Sequence, residues 1–476
     1  GELKPLSPKN SPGAATGMDI TPDGKTIALA HSNEIFTVWD RASGKLLRKR
    51  IRKGQVAHGD IAISPDGRWL AAAGTPDSLL LTTRGDDEAV ELKSGEQVPL
   101  QTVVFTADGK YIAAGCLSGK LFIWETASRR LLHTISAHTT QIWALAASPD
   151  GTTIGTGSFD RHTAIWDAAS GKELGKWQTH TSFVRGVTFS HDGTRMASVG
   201  QGQNQIVIRE VPTGKVIRKM PTDWAPTTVA FCDGGRTLVT GHFHDRFKFW
   251  DLATGAMFFE WRPQDGPYTL ELMVLPGSQS LVSSYTDSTA VVWDLKTVLA
   301  KLPALPRAAH TKEQMEQLWN GLTDNDASQA DAAMWALVSS DGAAQFLRNQ
   351  LIVKPMEVDE RVVEKLVADL DSDEFLARET AERELQLYGG VIAERLAKEL
   401  AATESAEVRV RVSRLLKRIS GTPGGLSPQQ LQASRGIHAL ACLGTPAAME
   451  ALKVVARSKS DPWRASMAQR TLDRLQ

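Results

Sequence analysis

Two groups of residues in this chain have the types and spacing that metal or catalytic sites use. His242 and His244 stand two positions apart, so on a β-strand both imidazoles would lie on one face. Imidazoles at this spacing can bind zinc or copper, although the nearby sequence supplies no clear third ligand. The alternative, which we favour, is that His244 or the aspartate after it has a structural role in the turn that follows the strand. His138, Thr156 and Asp160 form the second group, which could be drawn as a hydrolase triad. Because no serine or cysteine nucleophile on a strained turn accompanies them, the sequence does not favour catalysis.

The segment that surrounds His138 explains the second group as a structural network. Short apolar runs alternate here with turn residues, which predicts three strands joined by tight turns. Asp160 in the second turn could form a hydrogen bond with His138, and His138 could form one with Thr156. Thr156 could in turn accept a hydrogen bond from the indole N–H of Trp166, which needs a partner when it is buried. We therefore predict that these four residues form a structural tetrad.

The same pattern recurs at a period of about 42 residues, a length typical of one four-stranded blade. Each copy contains a turn with a glycine, which can accept a positive φ, and four of the seven turns also contain a proline, which can pre-set φ. The seven turns are Pro22-Asp23-Gly24, Pro65-Asp66-Gly67, Ala107-Asp108-Gly109, Pro149-Asp150-Gly151, His191-Asp192-Gly193, Asp233-Gly234-Gly235 and Pro276-Gly277-Ser278. A tryptophan followed by an acidic residue occurs at Trp39-Asp40, Trp124-Glu125, Trp166-Asp167, Trp250-Asp251 and Trp293-Asp294. Thr82-Thr83 and Arg209-Glu210 take that place in the second and fifth copies.

These seven copies resemble WD40 repeats, and the fourth resembles them over its full length, with the tetrad intact. The resemblance implies a multidomain β + α protein that begins with a seven-bladed β-propeller over residues 1–302. In such propellers an N-terminal strand often completes the last blade, which removes exposed strand edges. Residues 2–6, within the segment 1–12, are one candidate for this closing strand. Residues 297–300, which continue directly from blade seven, are the other.

A helical domain is predicted after a proline-rich linker at residues 303–310. From residue 311 to 476 the apolar period changes from two to 3.6 residues, and Thr311 with Gln314 forms a capping-box start. We predict ten short helices stacked as hairpins into a small solenoid. The segments that begin at Asp371 and Ser405 resemble HEAT-repeat helix starts. A propeller followed by such a HEAT-like tail resembles proteins that are abundant in planctomycete bacteria.

Composition limits the classes of partner. The formal net charge of zero predicts no general attraction to nucleic acid or to anionic membranes, and no apolar run reaches transmembrane length. The three cysteines are far apart and show no metal or disulfide spacing. The basic run from Arg409 to Arg418 stands among acidic residues, so we predict a solvated helix face. We expect a cytoplasmic protein without a cofactor, with a removed signal peptide left open.

Trp143 and Arg185 are the candidate partner-binding residues. They occupy the same register in adjacent repeats, one past the first buried residue of the inner strand. The resemblance implies a position near the rim of the central channel, on the face that commonly takes partners; a tryptophan packed between blades is the alternative. Tryptophan and arginine are enriched in binding hot spots.

We predict a non-enzymatic protein–protein interaction scaffold, binding through this face and the helical tail, which would suit a component of a larger assembly. The alternative is a metal- or ligand-binding enzyme or cofactor carrier that uses the channel mouth, with His242 and His244 on the metal.

Overall fold

Seven β-sheets and a set of helices make up the protein. The structure is a computed structural model that describes all residues except 1–14, 22, 33–34, 52–58, 74–76, 84–88, 233–234, 243–245, 263–268, 276–279, 288, 353–359, 389–391, 420–425, 459–460 and 476. The chain divides into two compact units, Gly1–Ala304 and Leu305–Gln476.

The first unit contains antiparallel sheets whose strand order follows the chain. The strands are β1 (Ala15–Ile20), β2 (Thr26–His31), β3 (Ile35–Asp40), β4 (Leu46–Ile51), β5 (Ile61–Ile63), β6 (Trp69–Ala72), β7 (Ser78–Thr83), β8 (Ala89–Lys93), β9 (Leu100–Phe105), β10 (Tyr111–Cys116), β11 (Lys120–Glu125), β12 (Leu131–Ser136), β13 (Ile142–Ala147), β14 (Thr153–Ser158), β15 (His162–Asp167), β16 (Glu173–Gln178), β17 (Val184–Phe189), β18 (Arg195–Gly200), β19 (Gln205–Glu210), β20 (Val216–Pro221), β21 (Pro226–Phe231), β22 (Thr237–His242), β23 (Arg246–Asp251), β24 (Ala256–Trp261), β25 (Thr269–Val274), β26 (Ser280–Tyr285) and β27 (Ala290–Asp294). Six sheets have four strands, and in the described residues the seventh has the three strands β25–β27.

The first strands of the sheets form a closed ring, with β1 next to both β5 and β25. The prediction of a seven-bladed β-propeller is therefore confirmed. Because the strands alternate in direction, the inner strands all begin on one face of the disc, which we call the rim face. The turns between second and third strands lie on the same face, and the predicted Asp-Gly turns lie on the opposite face.

Each described Asp-Gly turn is closed by its own side chains. In blade four the Ser148 hydroxyl donates to Asp150 Oδ1 at 2.6 Å, and Gly151 has a φ of 73°. The equivalent hydroxyl–carboxylate bond in blade five joins Ser190 to Asp192 at 2.6 Å. A side chain that bonds within its own turn fixes the direction in which the next strand leaves.

The predicted tetrad residues form one continuous hydrogen-bonded chain in blade four. His138 Nδ1 lies 3.0 Å from both Asp160 carboxylate oxygens, and His138 Nε2 lies 2.8 Å from Thr156 Oγ1. The indole N–H of Trp166 donates to the same hydroxyl at 3.1 Å. Burial lowers the pKa of His138, and although burial of Asp160 opposes it, the bond to His138 holds the pKa of that carboxyl low. A neutral His138 therefore donates from Nδ1 and accepts at Nε2, a tautomer that follows from the network.

Other blades satisfy the buried indole in different ways. In blade one Trp39 and His31 share Thr37, which is on the third strand instead of the second. In blade seven Trp293 donates to Ser283 at 2.7 Å, and Ser283 donates to the Tyr285 hydroxyl. In both of these blades one hydroxyl lies between the indole and a second polar ring, so the buried donor is paired.

Blade six pairs its buried indole through a histidine on its own second strand. His242 takes the role that His138 has in blade four, because its Nε2 lies 2.9 Å from Thr240 Oγ1, to which Trp250 also donates at 2.9 Å. His244 and Asp245 lie outside the described residues, so a structural role for either in the turn stays a prediction.

Blade five uses residues that differ from the pattern in both places. Gln203 replaces the aspartate: its Oε1 lies 3.2 Å from His180 Nδ1, while His180 Nε2 lies 2.9 Å from Ser198 Oγ. Arg209 replaces the tryptophan, and its guanidinium lies 4.5 Å from the ring centroid of Trp177 in blade four. Burial lowers the pKa of Arg209 to about 10. Packing between blades thus takes over part of the role of the network.

The alternative closing strand at residues 297–300 is wrong. The helix α1 (Lys296–Leu299) follows β27, and Val298 and Leu299 pack against the apolar residues of the last two blades. The other candidate, residues 2–6, lies outside the described residues.

The second unit is helical, as predicted. Its helices are α2 (Lys312–Gly321), α3 (Ala327–Val338), α4 (Ala343–Leu351), α5 (Glu360–Asp369), α6 (Phe375–Tyr388), α7 (Ala393–Ala402), α8 (Ala406–Ile419), α9 (Pro428–Leu443), α10 (Pro446–Ala456) and α11 (Pro462–Leu475). The capping box of Thr311 and Gln314 at the start of α2 is confirmed. No described helix is both long enough and apolar enough to cross a membrane.

These helices do not stack in chain order, so the predicted solenoid is wrong. The long helix α9 packs against α2, α3, α4, α10 and α11, whereas α5 to α8 share a separate apolar core. A solenoid repeat would contact only its neighbours. The close approach depends on Gly436 in α9, where a Cβ atom would lie 2.7 Å from the ring of Trp319.

We predict that Asp160→Ala lowers the free energy of unfolding by about 1–3 kcal/mol, because it leaves the buried imidazole of His138 and the backbone N–H of Thr139 without their acceptor. Thermal or denaturant unfolding of the full chain measures this. Asp287→Ala is the matched control, since Asp287 lies in the corresponding turn of blade seven and, among the described residues, bonds only Thr289. Equal stability losses for the two variants would contradict the structural role of the tetrad.

We also predict that residues 1–304 fold without residues 305–476, because each unit has its own apolar clusters. The truncated chain should be soluble and should unfold cooperatively. Persistent insolubility across several buffers would show instead that the two units share a core.

Candidate functional site

A β-bulge near the start of the inner strand determines which side chains the propeller presents at its channel. Between first and second strands the register skips one residue, for example between Ile142 and Ala144 in blade four and between Val184 and Gly186 in blade five. A bulged residue is unpaired and its side chain is re-aimed. In the described part of the chain the bulged residues are Thr16, Gln101, Trp143, Arg185, Thr227 and Leu270.

Blades four and five differ from their neighbours at this position. The hydroxyl of Thr16 donates to the Gly59 carbonyl at 2.6 Å, and that of Thr227 donates to the Gly241 carbonyl at 3.2 Å. Trp143 and Arg185 are instead half-buried, and the Arg185 Cζ lies 4.4 Å from the Trp143 ring centroid. The structure thus brings together the two residues that the sequence singled out, with a cation–π contact between them.

Two phenylalanines extend this contact across the rim face. The ring of Phe159 stacks on Trp143 with centroids 5.3 Å apart, and Phe183 stacks on Phe159 at 4.3 Å. Phe183 is 39% exposed. We call Trp143, Phe159, Phe183 and Arg185 the rim cluster. Sequence reasoning missed both phenylalanines, although Phe159 directly precedes Asp160 and is therefore held by the tetrad turn.

Arg185 is the charged member of the rim cluster. Burial lowers the pKa of its guanidinium, which nevertheless stays protonated at neutral pH. Among the described residues, no carboxylate pairs with it and its buried Nε has no hydrogen-bond acceptor. The aromatic face of Trp143 is thus its principal favourable contact.

The rim cluster borders a cavity of about 340 Å³ that runs between the inner strands of the blades. Trp143 and Arg185 line it from blades four and five, while three carboxylates line it from blades one, two and seven: Asp19, Asp60 and Glu271. Nothing in the sequence patterns pointed to these acids. Asp19 and Glu271 lie within inner strands, and Asp60 directly precedes one.

The three carboxylates join consecutive blades, and we call them the carboxylate seam. Glu271 accepts from the Met18 N–H at 2.7 Å, Asp19 from the Ile63 N–H at 2.6 Å, and Asp60 from the Val103 N–H at 3.1 Å. Gly17 makes room for it, since a Cβ there would lie 2.5 Å from Asp60 Oδ1. The seam therefore links blades seven, one, two and three around the channel.

Burial makes this seam sensitive to protonation. Loss of solvation raises the pKa of Asp19 from 3.8 to about 7 and that of Asp60 to about 6, although backbone N–H donors oppose both shifts. Burial, reinforced by the nearby charge of Asp60, also raises the pKa of Glu271. The carboxylates are close enough to oppose one another's ionisation.

His242 is not arranged as a metal ligand in this structure. Its Nε2 is used by Thr240, and burial lowers its pKa to about 4, so it is a neutral ring within the blade. His244 lies outside the described residues, and the described residues contain no cluster of three or more side chains suited to a metal.

The predicted solvated basic face in the helical unit needs a partial correction. Arg411 is only 7% exposed and pairs with Glu379, Glu382 and Glu407 at 2.7–2.8 Å. It stabilises the packing of α6 against α8 and is not free to bind phosphate.

The raised pKa of Asp19 gives a prediction with a definite sign. Between pH 4 and 7, roughly, the folded chain binds the Asp19 proton more tightly than the unfolded chain, so its contribution to stability is lost as pH rises through about 7. Asp19→Asn removes this titration. The melting temperature of D19N minus that of wild type should therefore increase by about 5 °C between about pH 5.5 and pH 8.5.

The difference between the two proteins is the quantity to measure, because His138, His180 and His242 have lowered pKa values and titrate in both. A difference that stays constant over this pH range would contradict the buried, protonated state of Asp19.

Comparison with known families agrees with this architecture. The family model described as WD domain, G-beta repeat matches residues 92–125, 129–167 and 171–207. The second stretch contains the complete tetrad and Trp143, and the third contains Phe183 and Arg185. A search among curated proteins gave no match. The matched stretches, which extend from the last strand of blade two into blade five, are therefore similar to WD40 repeats.

Proposed function

We propose that this protein is a non-enzymatic scaffold that binds other proteins through the rim cluster, with the helical unit as a second binding surface. WD40 propellers are commonly protein-interaction scaffolds. The observation that carries the proposal is the contact of Arg185 with Trp143 at the channel mouth, beside the exposed ring of Phe183. Tryptophan and arginine are enriched among the few residues that contribute most to the binding free energy of protein interfaces.

The frame of the propeller supports binding by preformed shape. Trp143 and Arg185 are bulged residues of paired strands, and Phe159 is in a turn held by the tetrad. Rigid positioning of this kind lowers the conformational entropy that binding would otherwise cost. The alternative of a metal- or ligand-binding enzyme at His242 and His244 has no supporting contact in the described residues, where Nε2 of His242 bonds to Thr240.

We predict that Trp143→Ala combined with Arg185→Ala weakens capture of partner proteins by about tenfold or more while the melting temperature changes little. Quantitative pull-down with the full chain from an extract of the source organism measures the capture. The matched control is Trp69→Ala with Arg129→Ala, a pair on the opposite face whose Arg129 Cζ lies 5.3 Å from the Trp69 ring. Unchanged capture by the rim-face variant would disprove the proposed site.

A further inference from the structure

We infer that the rim cluster binds a partner segment in which a carboxylate side chain stands within a few residues of an aromatic one. The inference rests on the proposed function, because it specifies the chemistry of a partner for the same surface. Arg185 would bind the carboxylate, and Phe159 with Phe183 would bind the aromatic ring.

The charge of Arg185 is the first support. Arg246 makes a similar contact on the same face, with its Cζ 5.1 Å from the Trp224 ring, but it has Glu260 at 4.0 Å. Arg236 in blade six pairs with Asp251 at 2.8 Å. Arg185 has no such carboxylate among the described residues, and its Nε is buried without an acceptor. A half-buried guanidinium fits a planar carboxylate, which can accept two parallel hydrogen bonds from it.

The stacked rings are the second support. Phe183 stacks on Phe159 with an angle of 13° between the ring planes, and it is 39% exposed to solvent. An aromatic side chain can stack on such a surface or meet it edge to face, which adds to the gain from burying apolar area. Phe183 stands two residues before Arg185, so the ring and the cation are close neighbours on the rim.

The opposite wall of the cavity does not compete for the same group. Asp19, Asp60 and Glu271 accept hydrogen bonds from Ile63, Val103 and Met18 within the ring of blades, so they are committed to the fold. A basic segment would approach an unpaired guanidinium at the mouth and be repelled by it. Charge complementarity therefore favours an acidic segment over a basic or neutral one.

Three pools of labelled hexapeptides, acetylated and amidated at their ends, test this with the full chain. Each pool places Phe or Trp one to three positions from a variable residue, which is Asp or Glu, Asn or Gln, or Lys. We expect fluorescence anisotropy to show about tenfold tighter binding of the acidic pool than of the amide pool. Arg185→Gln should reduce this ratio to near one, and Arg185→Lys, which keeps the charge, should retain part of it.

Arg246→Gln is the matched control, because it removes an arginine stacked on a tryptophan of the same face whose charge is already balanced by Glu260. The tenfold ratio should survive in this variant, and Phe183→Ala should weaken binding of all three pools. Unfolding curves of each variant identify any that fails to fold.

Several outcomes would overturn the inference. Equal binding of the acidic and amide pools, or a preference for the lysine pool, would show that Arg185 does not select an anion. If no peptide binds to the wild-type chain but the Trp143→Ala and Arg185→Ala double variant still loses its partner proteins, the inferred chemistry is refuted and the scaffold role remains intact. Absence of peptide binding together with unchanged partner capture by that double variant would overturn both proposals.

Discussion

The bulge at the second residue of the inner strand is the constraint on which the proposed site depends. A paired residue in this position would alternate with its neighbours and direct its side chain according to the pleat. The inserted residue escapes that alternation, so a side chain from a fully bonded strand can be directed toward the channel mouth. Thr16 and Thr227 bond to backbone carbonyls from this position, whereas Trp143 and Arg185 contact each other. The residues at this common position, Trp143 and Arg185, thus distinguish one sector of the ring, blades four and five, from the blades that carry threonine there.

Hydrogen bonds buried within and between the blades stabilise the propeller that carries this sector. Within blades, one hydroxyl pairs with an indole and a second ring, as Thr156 does with Trp166 and His138. Between blades, the carboxylate seam bonds side-chain oxygens to backbone N–H groups of the next inner strand. Buried polar groups require such partners, and paired networks make a structure specific as well as stable. Binding surface and frame are therefore separable: the rim cluster lies on a scaffold whose stability does not depend on a partner.

Periodicity predicted the architecture well, because the recurring turn and the recurring tryptophan mark the successive blades of the propeller. Local substitutions were harder to predict. Gln203 takes the place of an aspartate because its amide oxygen accepts the same hydrogen bond from His180. The repeat pattern has an aspartate there, so a glutamine could not be recognised from the sequence. Asp19 is an isolated acid within an inner strand and Asp60 directly precedes another, and only the spacing of neighbouring blades gives them a role. In the helical unit the sequence predicted the helices but not their order in space, since the packing of α9 depends on Gly436 fitting against Trp319.

The most direct test of the scaffold role is site-specific photo-crosslinking in an extract of the source organism. A photo-reactive phenylalanine analogue would replace Phe183 on the rim face or, as a control, Tyr111, which lines a groove on the opposite face. The account predicts protein crosslinks from position 183 that disappear when Trp143 and Arg185 are both alanine, with few or none from position 111. Crosslinks that persist in that variant, or that form mainly from position 111, would contradict it.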